Sequence, residues 1–324
     1  MQQLVTVDGV GKITLDDSMY LSSGGEANIF IKDNIAYKIY HNPNQMIPVE
    51  KIQELSVIKN PNVLKPQHVI YGSGGQAVGF TMDFVKNATP LCKLFTKAYK
   101  QKNGLSNEDI VSLIEKMQDT IKDIHKADCL IVDLNELNIL VSARHKTPYF
   151  IDCDSYQSKR FRATAIMESI RDRIVKNNQW TELSDWYSFA ILAFNLLIGI
   201  HPFKGRHPDY KIDDLDGRMK NSISVFDKDI SLPPVCNKFD CIPKSHLEWF
   251  KELFVNNKRL PPPEIGDFAP VIVTAFNIIS SNADFEVSLI ETCSEPILDI
   301  FVNMGVNYFI CKDKVFKGKE FFGQ

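Results

Sequence analysis

Two short segments near the middle of the chain carry oxygen-bearing side chains at a spacing suited to metal-dependent chemistry. The first, 133–138, reads Asp-Leu-Asn-Glu-Leu-Asn and offers the carboxylate of Asp133 and the amide oxygen of Asn138. The second contains Asp152, which directly follows a short apolar stretch. Mg²⁺ binds a few carboxylate or amide oxygens together with phosphate oxygens. The two segments therefore predict a site for a magnesium-bound phosphate compound.

The N-terminal part of the chain supplies groups that bind phosphate. Gly24 and Gly25 lie in a predicted hairpin, where glycines let backbone amides approach a phosphate. Lys38 lies on the next strand, and period-two alternation puts it on the same face as Ala36. A small residue leaves room for the flat base of a nucleotide, and the positive charge beside it can bind the attached phosphates. A lid, a cation, metal ligands and a carboxylate are together the groups that phosphoryl transfer requires.

Two glutamates on the helix after Lys38 are candidates to hold its ammonium group. Glu50 and Glu54 are four residues apart and so share a helix face. The spacing to segment 55–61 slightly favours Glu50. Glu50 is therefore the predicted partner of Lys38, with Glu54 as the alternative.

The predicted elements change from strands to helices after about residue 85. Strands are expected twice within 19–30, around a glycine-bearing turn, and at 35–40, 69–71 and 77–84, with one helix from Pro48 to Asn60. Further on, Ser106 can cap a helix with one apolar face, and two short strands are expected at 139–141 and 149–151. The almost wholly apolar helix that begins at Ser184 is expected in the core.

These motifs, in this order, resemble those of the protein kinase superfamily over most of residues 15–265. Segments 133–141 (Asp-Leu-x-x-x-Asn-Ile-Leu-Val) and 151–154 (Ile-Asp-x-Asp) look like its catalytic loop and metal-binding motif. The stretch 181–203 is similar to the central helix of eukaryotic-like protein kinases and the turn after it, and 258–261 resembles the Arg-Pro segment that closes their large lobe. The variant Asp-Leu-Asn-x-x-Asn with Ile-Asp-x-Asp-Ser-Tyr is most similar to a divergent bacterial or phage-type Ser/Thr kinase subgroup.

The resemblance implies a role for each candidate residue. Asp133 would orient and deprotonate the substrate hydroxyl, and Asn138 and Asp152 would bind Mg²⁺. Lys38, paired with Glu50, would bind the phosphates of ATP. The remaining nucleotide contacts that it implies are Gly24, Gly25, Ile29, Ala36, Met82 as gatekeeper, Asp83 and Val85, with the backbone between Met82 and Val85 bonded to the adenine.

The chain departs from the family pattern at several places. Ser22 and Ala27 stand where glycines are usual. Ile131-Val132 replaces the usual His-Arg, so a phosphorylated activation loop would lack its common arginine partner. Asn135 stands at the catalytic position of a lysine that touches the γ-phosphate, and an amide cannot neutralise developing charge, which predicts slow turnover. Asp154 replaces a glycine and adds a carboxylate without an assigned role.

The leading functional hypothesis is an ATP- and Mg²⁺-dependent protein kinase that transfers the γ-phosphate to Ser or Thr hydroxyls of proteins. The main alternative is a pseudokinase that binds nucleotide or a partner protein without transfer, which the altered glycine loop and Asn135 support. A small-molecule kinase similar to aminoglycoside phosphotransferases is a second alternative. The long segment 154–185 and the helix that follows it argue against that one. The lysine, the catalytic aspartate and both metal ligands are retained, which favours activity.

Composition and charge exclude several classes of protein. The 324 residues are 44% hydrophobic and 24% charged, values typical of a globular protein rather than a disordered polymer, a collagen or a small disulfide scaffold. Lys plus Arg number 37 against 40 Asp plus Glu, so no nucleic-acid partner is expected. The longest apolar stretch, 186–200, is too short to cross a membrane, and no membrane attachment is expected.

The N-terminal segment and the cysteines indicate the compartment. The chain does not start with a basic segment followed by an apolar run, so no signal peptide is expected. The seven cysteines form no CxxC pair. An odd number of cysteines without a secretion signal predicts free, buried or half-buried thiols in a reducing compartment, here the cytoplasm.

The length of the chain by itself suggests about two domains of about 150 residues each. The motifs indicate a different division. The expected class is an α+β, two-lobed, protein-kinase-like fold. It has a small β-rich lobe at 1–85, hinged near Asp83, and a larger, mainly helical lobe at 86–265 in which Arg259 makes a structural ion pair. Residues 266–324 are expected to be a short β-leaning extension, or the start of a domain that continues beyond this chain. The sequence carries no signal for the oligomeric state.

Overall fold

The structure is a computed structural model that describes residues 3–163, 166–264, 297, 299–303, 306–310, 315–317 and 320–323. The chain divides into two compact units, Met1–Pro263 and Glu264–Gln324. The first contains an antiparallel sheet followed by a mainly helical region. The second contains a small antiparallel sheet.

The described residues of the first unit form a seven-stranded antiparallel sheet. Its strands are β1 (Gln3–Val7), β2 (Gly11–Leu15), β3 (Tyr20–Ser23), β4 (Ala27–Lys32), β5 (Ile35–Tyr40), β6 (Val69–Tyr71) and β7 (Ala77–Asp83). They are ordered β2-β1-β6-β7-β5-β4-β3. Helix α1 (Val49–Leu55) follows β5 in the chain and begins directly after Pro48. Strand β5, which carries Lys38, is thus hydrogen-bonded on both sides.

The alternation of side chains along β5 sets the position of Lys38. Tyr37 and Ile39 pack into one apolar cluster together with Val5 of β1. Tyr40 packs on the other face of the sheet, in a cluster with Phe80 of β7. Because neighbouring residues of a strand point to opposite faces, Lys38 lies on the face of Tyr40 and Ala36, as the sequence predicted.

The sequence predicts five strands in this region, and the structure adds β1 and β2 to them. The two pair antiparallel from Gln3 to Leu15, around a tight turn in which Gly9 and Gly11 adopt positive φ angles of 69° and 108°. The signal was present in the alternation of β1, where Val5 and Val7 are buried between exposed neighbours. Five residues of alternation are few, and the polar flanks weaken the pattern further.

The helical region of the first unit contains the helix expected after Ser106, two short strands and the helix expected at Ser184, in that order, together with further elements. It contains α2 (Lys97–Lys102), α3 (Asn107–His125), α4 (Glu182–Ile198), α5 (Leu215–Lys220) and α6 (Lys244–Phe254), and a small sheet of β8 (Thr89–Pro90), β9 (Ile139–Val141) and β10 (Pro148–Phe150). Strands β9 and β10 lie within one residue of their predicted bounds, whereas β8, α2, α5 and α6 were not among the predicted elements. A small β-rich lobe and a larger, mainly helical lobe therefore confirm the predicted α+β, two-lobed fold.

Helix α4 is the core of the helical region. Its residues from Ser184 to Phe194 are all buried. Tyr187 and Phe194 pack edge-on against aromatic residues of α6, and the ring centroids of Phe194 and Phe250 are 5.4 Å apart. This confirms the prediction of a helix covered on all sides.

Helix α3 begins with the predicted capping box. The backbone amide of Asp109 donates to Ser106 Oγ at 3.1 Å, and the amide of Ser106 donates to the Asp109 carboxylate at 3.0 Å. We expect Ser106→Ala to lower the free energy of unfolding by about 1 kcal/mol, because it removes an acceptor for an otherwise unpaired amide. Urea denaturation followed by circular dichroism measures the change. A loss below about 0.3 kcal/mol would show that the cap does not stabilise this helix.

Arg259 makes the predicted structural ion pair, and its partner is Asp172. Arg259 Nε and Nη2 each lie 2.6 Å from one of the two Asp172 carboxylate oxygens. The guanidinium carbon also lies 4.2 Å from the ring centroid of Tyr187 on α4. The pair therefore joins the end of the first unit to the segment that precedes the core helix.

The described residues of the second unit form four antiparallel strands in sequential order. They are β11 (Asp299–Asn303), β12 (Val306–Ile310), β13 (Val315–Lys317) and β14 (Glu320–Gly323). Phe309 of β12 is buried. The strand-like segment expected at 308–311 is thus found as far as Ile310, and Cys311 lies outside the described residues.

The thiols of the described cysteines are free. Cys129 and Cys153 are buried, and Cys92, Cys236 and Cys241 are half-buried, as predicted. Cys293, like Cys311, lies outside the described residues. Within the described part of the chain, no helix combines the length and the apolar character that crossing a membrane requires.

Candidate functional site

The glycine-bearing turn joins β3 to β4 and presents its backbone outward. Gly24 N donates to the carbonyl of Ala27 at 2.9 Å, which closes a tight turn. A Cβ built on Gly25 would meet no atom within 4 Å. The ring of His41 contacts the carbonyl of Gly24 at 3.1 Å, and its backbone amide donates to the carbonyl of Glu26 at 2.8 Å. The turn is therefore held by His41, the residue after β5, and the space next to Gly25 is open.

Lys38 lies in a buried carboxylate and aromatic environment. Its Nζ is 2.7 Å from a carboxylate oxygen of Asp154 and 3.3 Å from one of Asp152. It also lies 5.3 Å from the ring centroid of Tyr40 and 5.6 Å from that of Phe80. Burial by itself lowers the pKa of Lys38, but the two carboxylates outweigh burial and raise it. The lysine is therefore held in its charged form.

The structure gives Lys38 a different partner from the predicted Glu50, and this prediction is corrected. Among the residues that the structure describes, Glu50 makes no bond to Lys38, and it is exposed to solvent. Helix α1 instead directs Lys51, one residue further on, toward the site. The cause is the helical period, because consecutive residues differ by about 100° around the axis. In this orientation of the short helix α1, Glu50 points to solvent.

The alternative partner, Glu54, is hydrogen-bonded to residues that follow Asp152 and Asp154 in the chain. Its carboxylate accepts from the hydroxyl of Ser158 at 2.6 Å and from the guanidinium of Arg160. The hydrogen bond to Arg160, followed by that to Ser158, lowers the pKa of Glu54 to about 2. Glu54 therefore fixes α1 to segment 158–160 and is not available to Lys38.

Hydrogen bonds from the predicted catalytic loop and from Met167 hold the carboxylate of Asp133. One carboxylate oxygen of Asp133 accepts from the backbone amide of Met167 at 2.8 Å. The other accepts from the side-chain amides of Asn135, at 3.0 Å, and Asn138, at 3.3 Å. These donors fix the direction in which the carboxylate faces.

Asn135 and Asn138 differ in what remains free for a ligand. Asn135 is 3% exposed, and its side-chain oxygen accepts from the backbone amides of Leu137 and Asn138. The side chain of Asn135 therefore makes hydrogen bonds within the loop. Asn138 donates through Nδ2 to the backbone carbonyl of Asp133 at 3.1 Å, which leaves its Oδ1 as the atom suited to a metal.

Asp152 adopts the left-handed conformation, with φ 57° and ψ 33°, where the chain leaves β10. Its side chain is 40% exposed, and it lines a cavity of about 470 Å³ together with Asp133, Asp154, Glu26 and Tyr40. Burial, followed by repulsion from Asp154, raises the pKa of Asp152. A divalent cation in this cavity would relieve that repulsion. The donor set, which is oxygen only and partly exposed, fits Mg²⁺.

The predicted adenine-binding residues lie on neighbouring strands of the sheet. Ala36 on β5 pairs with Met82 on β7, and Ile29 on β4 pairs with Lys38 on the other side. Asp83, at the end of β7, is exposed, and the half-buried Val85 follows two residues later. The structure thus places the predicted base-binding and phosphate-binding residues side by side.

Asp185 of α4 is a site residue to which the sequence analysis gave no role. Its fully buried carboxylate accepts from the backbone amides of Ile131 at 2.8 Å and Val132 at 2.9 Å, and from His125 Nε2 at 2.9 Å. Val132 has a φ of 62°, an unfavourable angle for a β-branched residue. Asp185 therefore holds the backbone that leads into Asp133. An acidic residue within an otherwise apolar helix was the signal.

The family of the chain follows from comparison with known sequences. The family described as Protein kinase domain matches residues 30–253, which is more than half of the chain. The chain belongs to the protein kinase family. The matched residues include Lys38, the loop of Asp133 and the core helix α4, so the family and the geometry point to the same site.

Individual protein kinases match the chain at low identity. Ribosomal protein S6 kinase alpha-3 of Homo sapiens is 22% identical over 154 residues, which cover 46% of this chain and 20% of that kinase. Serine/threonine-protein kinase 1 of Heliothis zea nuclear polyhedrosis virus is 24% identical over 139 residues, which cover 41% of this chain and 50% of that protein. The chain therefore spans half or less of the length of these curated relatives.

Proposed function

We propose that this protein kinase domain transfers the γ-phosphate of ATP to Ser or Thr hydroxyls of proteins, with Mg²⁺ as cofactor. The observation that carries the proposal is the cavity of about 470 Å³, which brings Asp133 and Asp152 together although 19 residues separate them in the chain. Lys38 is ion-paired to Asp152, so the cation for the phosphates adjoins the same cavity.

Each residue has a defined task in this reaction. The backbone of the glycine turn and Lys38 bind the phosphates of ATP. Asn138 and Asp152 would hold Mg²⁺, which would supply positive charge to offset the charge of the phosphates. Asp133 accepts the proton of the incoming hydroxyl. The hydrogen bonds donated by the side-chain amide of Asn135 and the backbone amide of Met167 keep its carboxylate oriented for that step.

The choice of acceptor rests on two arguments of a different kind. The Asp-Leu-x-x-x-Asn loop and the core helix α4 resemble those of protein kinases, and one relative is named as a serine/threonine-protein kinase. We therefore propose protein substrates with Ser or Thr acceptors, and a cytoplasmic location in keeping with the free thiols. No nucleic-acid partner is proposed.

A second candidate function is nucleotide binding without transfer. The backbone amide of Met167 donates to one carboxylate oxygen of Asp133 at 2.8 Å, so that oxygen already accepts a hydrogen bond from within the chain. If this bond persisted when ATP was bound, the site would hold nucleotide but lack a free base. The observation favours a pseudokinase, the alternative that sequence also raised.

Nucleotide binding is expected to stabilise the protein under either function. At a hundred times its dissociation constant, ATP with Mg²⁺ should add about 2.7 kcal/mol to the free energy of unfolding. Thermal unfolding with and without ATP, in Mg²⁺ and in EDTA, measures the effect. An unchanged melting temperature in Mg²⁺-ATP at all concentrations would contradict both functions.

Label transfer separates the two functions. The full chain is incubated with γ-labelled ATP and Mg²⁺, alone and with a generic basic protein. Label in either protein supports the kinase. Stabilisation by ATP without any label supports the pseudokinase.

A further inference from the structure

Asp154 is the closest and most buried acidic partner of Lys38. The Lys38 Nζ lies 2.7 Å from Asp154 Oδ2 but 3.3 Å from Asp152 Oδ1. The side chain of Asp154 is 7% exposed, whereas that of Asp152 is 40% exposed. Water and salt screen a buried pair much less than an exposed one. Asp154 therefore holds the lysine more strongly than Asp152 does.

A second donor fixes the orientation of the Asp154 carboxylate. The hydroxyl of Tyr40 donates to the same oxygen, Oδ2, at 2.7 Å. Tyr40 is buried and packs edge-on against Phe80, with ring centroids 6.2 Å apart. The tyrosine and the lysine both belong to β5, so two side chains of one strand bind the same carboxylate.

The backbone of Asp154 is held from the opposite side by helix α1. Lys51 Nζ donates to the backbone carbonyl of Asp154 at 2.6 Å, and the Lys51 residue is 5% exposed. Helix α1 thus contributes a cation where the predicted arrangement needed a glutamate. Since a cation cannot pair with Lys38, the carboxylate has to come from elsewhere, and Asp154 supplies it.

We propose that Asp154 is the positioning residue for Lys38, in place of a glutamate on helix α1, and that Lys51 fixes the backbone that carries it. The role rests on the proposed function, since it assumes that Lys38 binds the phosphates of ATP. It also explains how one lysine can adjoin two acids. With Asp154 bonded to Lys38, the oxygens of Asp152 can turn to Mg²⁺ without leaving the lysine unpaired.

The test is the kinetic effect of Asp154→Asn. Asparagine has nearly the same size and can still accept the hydrogen bond of Tyr40, and the carbonyl that Lys51 binds is unchanged. Only the charge that holds Lys38 is lost. We expect kcat/KM for ATP to fall about 100-fold, because misplacing a reacting group by about 1 Å lowers the rate by about that factor. The KM for the protein substrate should stay within twofold, because Asp154 has no proposed contact with that substrate.

Two further variants keep the test sharp. Asp33→Asn, at the far turn of the β4–β5 hairpin, removes one negative charge at an exposed residue with a φ of 51°, an angle that asparagine readily adopts. It should match the wild type. Tyr40→Phe removes one hydrogen bond and keeps the charge, so kcat/KM for ATP should fall about 2- to 10-fold. This variant decides the question if Asp154→Asn does not fold.

The outcomes separate this inference from the proposed function. If the wild type transfers phosphate and Asp154→Asn matches it in kcat/KM for ATP, the function stands and the inference is wrong. If Glu50→Gln lowers kcat/KM and Asp154→Asn does not, the helix glutamate is the partner, and the inference is again wrong. If the wild type transfers no phosphate, yet ATP raises its melting temperature and Asp154→Asn abolishes that rise, the proposed function fails and the inference holds. If ATP binds neither protein, both are overturned.

Discussion

Replacing Asp133 by asparagine is expected to lower the rate of phosphate transfer by about 10²- to 10⁴-fold, the usual contribution of a general base. The amide oxygen of asparagine can still accept from the backbone amide of Met167, but an amide does not accept the proton of a hydroxyl at neutral pH. ATP should therefore still raise the melting temperature of the variant, because Asp133 has no proposed contact with the nucleotide. Initial rates with γ-labelled ATP measure the loss.

The matched control for Asp133→Asn is Asp128→Asn. Asp128 precedes the same loop, is exposed, and has a φ of 56°, which asparagine tolerates well. Its rate should equal that of the wild type. If Asp133→Asn kept its rate within twofold of the control, Asp133 would not be the base, and the assignment of the catalytic loop would fall.

Replacing Arg259 by methionine is expected to lower the free energy of unfolding by about 3–5 kcal/mol. The variant keeps most of the volume of the side chain but leaves Asp172, whose side chain is 3% exposed, as an unpaired buried charge. It also removes the guanidinium that lies 4.2 Å from the ring centroid of Tyr187. Urea denaturation followed by circular dichroism measures the loss.

A double variant tests the cause of that loss. In Arg259→Met with Asp172→Asn no charge is left buried, so the double variant should regain part of the lost stability. If the double variant were less stable than Arg259→Met alone, the unpaired carboxylate would not be the reason. A loss below about 1 kcal/mol in the single variant would place the pair among surface salt bridges of little effect.

The elements with long, regular patterns could be predicted from the sequence. The apolar face of α3 and its cap at Ser106 were placed correctly, because a helix of 19 residues repeats its period several times. The same holds for α4, whose apolar character on every side indicates a core position. Lys38 on its strand, and Asp133, Asn138 and Asp152 in the loops between α3 and α4, followed from the order and spacing of the motifs.

The local contacts of the site could not be predicted in the same way. Helix α1 has only seven residues, so its period does not decide which of Glu50, Lys51 and Glu54 faces inward. The facing residue depends on how α1 packs on the segment after Asp152, a contact between parts of the chain 100 residues apart. The role of Asp154 stayed open for the same reason, since two acids two residues apart look alike in sequence.

The central claim is that the site of Lys38, Asp133 and Asp152 transfers phosphate to hydroxyls of proteins. The most direct measurement is the identity of the labelled residue after the full chain has reacted with γ-labelled ATP and a generic basic protein, followed by acid hydrolysis. We predict labelled phosphoserine or phosphothreonine from the wild type in Mg²⁺, and a loss of this label in EDTA and in Asp133→Asn. A wild type that ATP stabilises but that labels no protein residue would contradict the claim.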